Sequence, residues 1–547
     1  GNYFSKITLQ EITFQKLPAG NYFSKITLQE ITFQKLPFRK LLFKNYPQEI
    51  TLQEITFQKL PFRKLLFKNY PQEIPSQKIP IKMRTLLFLF IAALCFAACQ
   101  QQPAAPVHTS AALSDQPSEP DWVRDAVLYE CNIRQFSPEG TLNGVRQQLG
   151  RLKDMGVSVL WLMPIHPIGV EHRKESPTDL GSPYSVQDYY AVNPDFGTLE
   201  DVKALVSEAH QLGLKVILDW VPNHTAWDAV WMKEHPEYYT KVNGQFTAPL
   251  NEQGGSTGWD DCVDLDYTNP ALRKAMIEAM QYWVRTCDMD GFRCDMAGLV
   301  PADFWQQARP ALDSVKPLFL LSEWQDEPLH FKAFNANYGW KWKDVTKDIW
   351  AGKQSAQSLD TLLEYLDDFY PEDYYQMYFT QNHDENSWSG TEADLYGASA
   401  DAFNVLAFTW QGIPMIYCGQ EDARSQRLAF FKKDPIQWKD YSKTAFFEKL
   451  SALKHSNRAL GAGRNGGALV KIPTDLDEYV YAFTREKEGD RVIVVLNLSK
   501  QNRTFTLRPS DNVVGAYMNL FGASTVQVTK EMTLNLKPWE YLVLTNK

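Results

Sequence analysis

From Ala126 onward the chain alternates short, nearly unbroken apolar runs with stretches of helical period, and few folds accept that pattern. "AVLYECNIRQF", "VSVLWLMPI" and "KVILDW" read as strands, and "NGVRQQLGRLKDMG" and "LEDVKALVSEAHQLG" as the helices between and after the first two. "NPALRKAMIEAMQYWV" reads as a helix with Asn269 as its cap and Pro270 in its first turn. "GFRCDM", "LFLLSEW", "YQMYFT" and "IPMIYCGQE" supply further strands. Strands this apolar are covered on both faces, which predicts a parallel sheet wrapped by helices. A doubly wound open sheet would want a glycine-rich phosphate turn after its first strand, and "CNIRQFSPEG" is not one. Residues 121–456 are therefore expected to form an α/β (β/α)8 (TIM) barrel. Residues 225–268 exceed an ordinary connection and are expected to be a short inserted subdomain after strand 3. Beyond residue 457 the period drops to two with tight turns, as in "EYVYAFTREKEGDRVIVVLNLS". This predicts a separate C-terminal all-β sandwich domain over 457–547.

The first 98 residues do not share this grammar. Gly1–Pro18 recurs at Gly20–Pro37, and Ile26–Ile50 recurs at Ile50–Ile74. Two different periods without caps do not make a solenoid, so residues 1–82 are expected to be a misassigned upstream extension. "MRTLLFLFIAALCFAAC" then starts at Met83 with Arg84 and a short apolar run ending in small residues before Cys99. The run is too short to span a bilayer and reads as an export signal over 83–98. It resembles a bacterial lipoprotein signal, which would make Cys99 the lipidated residue and a lipid anchor the chain's only link to a membrane. The expected location is then the bacterial envelope, periplasmic or outer-membrane, with residues 99–120 as a flexible tether. Five cysteines remain, Cys131, Cys262, Cys287, Cys294 and Cys418, with no metal-ligand spacing; buried free thiols are expected.

Charge narrows the partners. The whole chain carries −9, but residues 1–98 carry a net +9, which leaves −18 on residues 99–547. Such an acidic body excludes nucleic acid as a partner, because phosphate binding needs a basic face. Aromatic residues reach 13%, enough for either a large aromatic core or a ligand surface of flat rings.

Several strands end in polar groups that a buried strand should avoid. "DWVPNH" carries Asp219, Asn223 and His224; "GFRCDM" carries Arg293 and Asp295; "LLSEW" carries Glu323; "QNHDEN" carries His383 and Asp384. Arg293 and Asp295, two apart, face the same side of a strand. In a barrel all these ends gather at one rim, where catalytic residues sit. Crowded like charges cost energy, so stability does not ask for them there.

These four motifs, in this order, resemble the conserved regions of the alpha-amylase family, glycoside hydrolase family 13. "GSPYSVQDYYAVNPDFGT" and "GIPMIYCGQE" are similar to other segments of that family. The resemblance implies a retaining glycoside hydrolase acting on α-1,4-linked glucans or maltooligosaccharides. It implies Asp295 as nucleophile, Glu323 as acid/base, and Asp384 as the carboxylate that grips and distorts the sugar. Arg293 would keep Asp295 ionised, His224 and His383 would clamp the sugar, and Tyr184 would stack beneath it. Like-charged neighbours are expected to raise the pKa of Glu323. Asn223 and Asp264 match positions at which the family holds calcium, so Ca2+ is the one cofactor implied. One departure stands out: where many alpha-amylases continue the fourth-strand motif with Lys-His, this chain has Gly298 and Leu299. Cyclomaltodextrinases, neopullulanases, α-glucosidases and transglycosylases share the catalytic set, so these stay open beside an alpha-amylase. A non-catalytic glycan-binding lipoprotein stays open as an alternative of another class.

Overall fold

The computed structural model describes Pro117 and residues 119–547, apart from 175–178, 326–328, 330–331 and 371–373, together with six three-residue strands near the N-terminus. The export signal, Cys99 and almost all of the tether lie outside the described residues. The chain divides into two compact units, Gly1–Val107 and His108–Lys547. In the first unit two of the four strand pairs join copies of one repeated tripeptide, and the other two join unlike ones. Ile26–Leu28 runs parallel to Ile50–Leu52 with Ile26 beside Ile50, and Ile31–Phe33 runs likewise beside Ile55–Phe57.

The second unit holds a closed barrel of eight parallel strands. These are β1 (Leu128–Cys131), β2 (Val159–Leu162), β3 (Lys215–Trp220), β4 (Gly291–Cys294), β5 (Phe319–Ser322), β6 (Ala336–Tyr338), β7 (Tyr375–Tyr378) and β8 (Ile413–Tyr417). They follow one another around the barrel in chain order, and β8 closes on β1 through Met415 beside Leu128. Nearly every strand residue is buried, as runs with no polar alternation require. The helix Leu199–Gln211 starts at a capping box between Thr198 and Asp201. The helix Pro270–Cys287 starts as the sequence suggests, with the Asn269 side chain accepting from Ala271 N.

Some local readings are corrected. The run "AVLYECNIRQF" is not one strand: β1 stops at Cys131 and Ile133–Phe136 turns into a short helix. The stretch "NGVRQQLGRLKDMG" is two short helices, Leu142–Arg146 and Leu149–Asp154, separated at Gln147–Gln148. β6 carries no apolar run to announce it. β4 ends at Cys294 rather than Met296, because Met296 takes a left-handed φ of 44° and turns the chain away. Asp295 N still donates to Trp220 O at 2.8 Å, so the ladder reaches that residue and Arg293 and Asp295 keep a common side.

The insertion is anchored by an antiparallel pair, His224–Ala226 with Cys262–Asp264, and carries a small hairpin, Lys241–Val242 with Gln245–Phe246. The C-terminal domain has a six-stranded sheet and a separate two-stranded sheet, Arg503–Leu507 with Met532–Leu536. A core of its own, including Ile493, Val495, Phe505 and Leu544, fills the space between them. The other face of the larger sheet packs on the barrel. There the buried Arg485 donates to Trp410 O at 2.6 Å and to Gly461 O and Gly467 O at 2.8 Å. All five cysteines in the described residues are buried and free.

Candidate active site

One guanidinium organises the C-terminal rim of the barrel. Register sets Arg293 on β4 beside Asp219 on β3, and its Nη1 lies 2.9 Å from Asp219 Oδ1 and 2.9 Å from Asp295 Oδ1. Its Nε donates to Tyr338 OH at 2.9 Å. Nη2 lies 2.8 Å from Glu323 Oε1 without hydrogen-bond alignment, so that contact is an ion pair rather than a directed bond. Asp219, Arg293, Asp295 and Glu323 are all buried. Three carboxyl groups thus share one fixed positive charge in a poorly solvated place.

The consequences for proton affinity follow from burial first. Burial raises Glu323 to about 8; Asp295 and Asp384 push the same way and Arg293 opposes. Burial raises Asp295 to about 6, with Asp219 and Asp384 adding and Arg293 opposing. Desolvation is therefore the largest cause at Glu323, and the like charges raise it further, as expected from the sequence. Glu323 Oε2 also accepts from Met296 N at 2.9 Å, so the turn that ends β4 aims it. The order of the two groups leaves Asp295 ionised and Glu323 protonated at neutral pH.

The remaining residues named from sequence lie around this core. Tyr184 OH donates to Asp219 Oδ2 at 3.1 Å and lies 2.8 Å from His383 Nε2. The ring of Tyr184 stacks on that of His383 at 5.3 Å and on Phe430 at 6.2 Å. His383 Nε2 is 3.4 Å from Asp384 Oδ2, and Asp384 is the more exposed carboxylate, with 36% of its side chain accessible. Trp388 Nε1 donates to Asp384 Oδ1 at 3.2 Å. His224 is buried, and burial lowers it to about 4, so it is a neutral imidazole there.

Asn223 and Asp264 both lie against His224. Asp264 lies beside His224 in the insertion ladder, its Oδ1 accepts from Leu250 N at 3.3 Å, and burial holds its pKa at about 6. Asn223 turns its amide nitrogen to within 3.3 Å of His224 Nδ1. Among the described residues no three His, Cys, Asp or Glu side chains cluster as metal ligands. Calcium wants six to eight oxygens, and these two side chains by themselves supply too few.

Gly298 has a physical reason. A Cβ there would meet the Trp324 ring at 2.2 Å, so the indole following Glu323 occupies the space a larger residue would need. The sequence placed Asp219 at the rim without a role of its own, and did not single out Glu130, Phe430 or Trp388. Asp219 and Glu130 did carry a signal: each is a lone carboxylate in an apolar strand run, "ILDW" and "LYEC". Phe430 and Trp388 carried none.

Comparison with known proteins agrees with this geometry. The family described as alpha amylase, catalytic domain, matches residues 112–456, and that described as maltogenic amylase, C-terminal domain, matches residues 473–543. The chain is similar to alpha-amylase 3 of Dictyoglomus thermophilum, 26% identical over 70% of this chain and 87% of that one. It is similar to a cyclomaltodextrinase of Thermoanaerobacter pseudethanolicus, 25% identical over 71% and 72% of the two chains. Among solved structures it resembles a maltogenic alpha-amylase of Thermotoga neapolitana, with TM-score 0.68 and 32% identity over 78% of this chain and 99% of that one. An alpha-amylase of Lactobacillus plantarum matches with TM-score 0.68 and 30% identity over 78% and 100%. The catalytic-domain match alone spans well over half of the sequence, and on that ground the chain belongs to the alpha-amylase family, glycoside hydrolase family 13.

Proposed function

We propose that this glycoside hydrolase cleaves α-1,4-glucosidic bonds of glucans or maltooligosaccharides by double displacement at Asp295 and Glu323. The observation that carries the reading is the shared Arg293, which reaches both carboxyls while burial separates their proton affinities to about 6 and about 8. Asp295 attacks the anomeric carbon as Glu323 gives its proton to the departing oxygen, leaving a covalent glycosyl-enzyme. Glu323, now ionised, takes a proton from water; the resulting hydroxide equivalent attacks the anomeric carbon and releases Asp295. Asp384, beside His383 and facing solvent, holds sugar hydroxyls. Neither the proton transfers nor the displacements draw on Asn223 or Asp264.

The expected pH dependence of kcat/KM is a bell with limbs near 6 and 8. Below the first limb Asp295 is protonated and cannot attack; above the second Glu323 has lost the proton it must give. The two limbs belong to the coupled pair rather than to either residue alone. In Glu323→Gln, assayed on a substrate with a leaving group that needs no acid, the alkaline limb disappears. A profile flat from pH 5 to 9 contradicts this assignment.

Trp388 supports a substrate longer than one sugar. It is 56% exposed, donates to Asp384, and packs against Phe430 at 5.1 Å and Phe431 at 6.1 Å. A rigid, half-supported indole at the rim suits stacking of a neighbouring glucosyl ring. Trp388→Ala is expected to raise KM for maltoheptaose by about 3- to 10-fold, the scale of one aromatic contact. Trp388→Phe should keep most of that affinity. Equal KM in all three forms removes the ring from the binding surface.

The deciding assay gives the full chain maltoheptaose and pullulan and follows product length and anomeric configuration. Short products of retained α-configuration support the reading. The maltogenic-type C-terminal domain and the relatives named cyclomaltodextrinase and neopullulanase favour a second substrate range, which cleavage of pullulan would support. We further propose that the chain is exported and anchored through a lipid on Cys99. Metabolic labelling with radioactive palmitate should mark the wild type and not Cys99→Ala; label in both forms removes Cys99 as the site.

A further inference from the structure

Glu130 is a fully buried carboxylate in the middle of β1, and the mechanism above does not use it. Its Oε1 meets His383 Nδ1 in a short hydrogen bond, and its Oε2 has no partner. From there a continuous chain of contacts runs through His383 Nε2, Tyr184 OH, Asp219 and Arg293 to Asp295.

Counting donors fixes the protons from His383 Nε2 to Asp219. Asp219 already accepts from Arg293 Nη1 at 2.9 Å and from Trp161 Nε1 at 3.1 Å, and as a carboxylate it can only accept. Tyr184 has one hydroxyl proton, and it goes to Asp219. Its oxygen must then accept from His383, so Nε2 carries a proton. The other ring nitrogen faces Glu130, a carboxyl that burial raises and that His383 and Arg293 favour as the anion; as the anion it accepts from Nδ1–H. Both ring nitrogens are then protonated, and the buried imidazolium has its counter-charge in Glu130.

We propose that Glu130 is a positioning residue for glycoside cleavage: it holds His383 doubly protonated, and so directs the Tyr184–Asp219–Arg293 hydrogen bonds that aim Asp295. The proposal rests on the catalytic reading above. Without Glu130 the neutral tautomer bearing its proton on Nδ1 becomes available. Tyr184 would then donate to His383 and present its oxygen to Asp219, and the chain would break next to Arg293.

The charges around His383 are consistent with this. Burial alone would lower its pKa, but Asp384 and Glu130 overcome burial and raise it to about 9, against an opposing contribution from Arg293. Asp219, across Tyr184, and Asp295, beyond Arg293, are the other charged groups of this network, and Tyr184 itself stays neutral because burial raises it well above its ordinary value.

The test uses the full chain labelled with ¹⁵N-histidine, with the His383 signals assigned from the spectrum of His383→Gln. In the wild type both imidazole nitrogens should report as protonated at pH 7. In Glu130→Gln the ring should report as neutral at the same pH. A neutral His383 in the wild type at pH 7 overturns the proposal, whatever substrate the enzyme takes and even if Glu130→Gln does not fold. On maltoheptaose, Glu130→Gln should lose about 10- to 100-fold in kcat, the scale of a misplaced reacting group, with KM changed far less. Combined with Tyr184→Phe it should be no worse than Tyr184→Phe alone, because both cut one chain. Additive losses, or unchanged kcat with an altered imidazole, overturn the positioning role. If the wild type cleaves no glucan, the catalytic reading fails, and the nitrogen spectra still decide the proton arrangement.

Discussion

Asp295→Asn is expected to lower turnover of maltoheptaose by about 10⁴-fold or more while the protein stays folded. The amide matches the carboxylate in shape but cannot attack the anomeric carbon or leave as a carboxylate. Its effect on stability should have the opposite sign to the usual cost of a buried substitution. Asp295 is raised to about 6 in the folded protein, above its ordinary 3.8, because burial and the neighbouring carboxylates outweigh Arg293. A carboxyl raised in this way favours folding at low pH and loses that contribution as pH rises through the folded pKa. At pH 7 to 8 the wild type therefore carries an electrostatic penalty that Asn removes, and Arg293 keeps Asp219 and Glu323 as partners. The expected result is a melting temperature equal to or above wild type at pH 8, with the difference shrinking towards pH 5. A variant that melts well below wild type at pH 8 contradicts that electrostatic account.

The second large effect is at Arg293. Arg293→Met keeps much of the side-chain volume but leaves Asp219, Asp295 and Glu323 buried around no positive charge. Removing one member of a buried ionic cluster costs about 3–5 kcal/mol, because the partners keep their desolvation without its compensation. Activity should fall with it, since Asp295 then binds its proton through neutral pH. The sign of the pH dependence again follows from raised carboxyl pKa values: the loss of stability should be largest near pH 8 and smaller near pH 5, where the carboxyls of the folded protein are largely protonated. Arg293→Lys should recover only part of either property, because one ammonium cannot copy the planar fork that reaches Tyr338, Asp219, Asp295 and Glu323. Thermal unfolding at the two pH values checks both signs.

What the sequence made legible, and what it hid, follows from the range of the forces involved. Long apolar runs announced seven of the eight barrel strands, because burial on both faces writes itself into every residue. β6, only Ala336–Tyr338, is held by its neighbours β5 and β7 and needs no hydrophobic signature of its own. "CNIRQF" misled because an apolar run of that length suits a strand or a buried helical turn equally. At the site, Arg293 and Asp295 could be paired from a two-residue spacing. The place of Asp219 opposite Arg293 depends on the β3–β4 register, which no local pattern encodes. The same holds for Glu130, 253 residues from His383 in sequence and in contact with it in the barrel. The motif positions Asn223 and Asp264 mark how far a pattern can be read: both residues are there, Asp264 Oδ1 accepting from Leu250 N and the Asn223 amide nitrogen lying against His224.

The claim on which the rest depends is that Asp295 becomes covalently bonded to the sugar. The most direct test incubates the full chain with a fluorinated α-glucosyl fluoride, whose ring fluorine slows release of the intermediate more than its formation. Intact mass and peptide mapping then locate any adduct. The account predicts one added glycosyl unit, on the peptide and the residue containing Asp295, and none in Asp295→Asn. Turnover without any adduct, or an adduct on a different carboxylate, would contradict it.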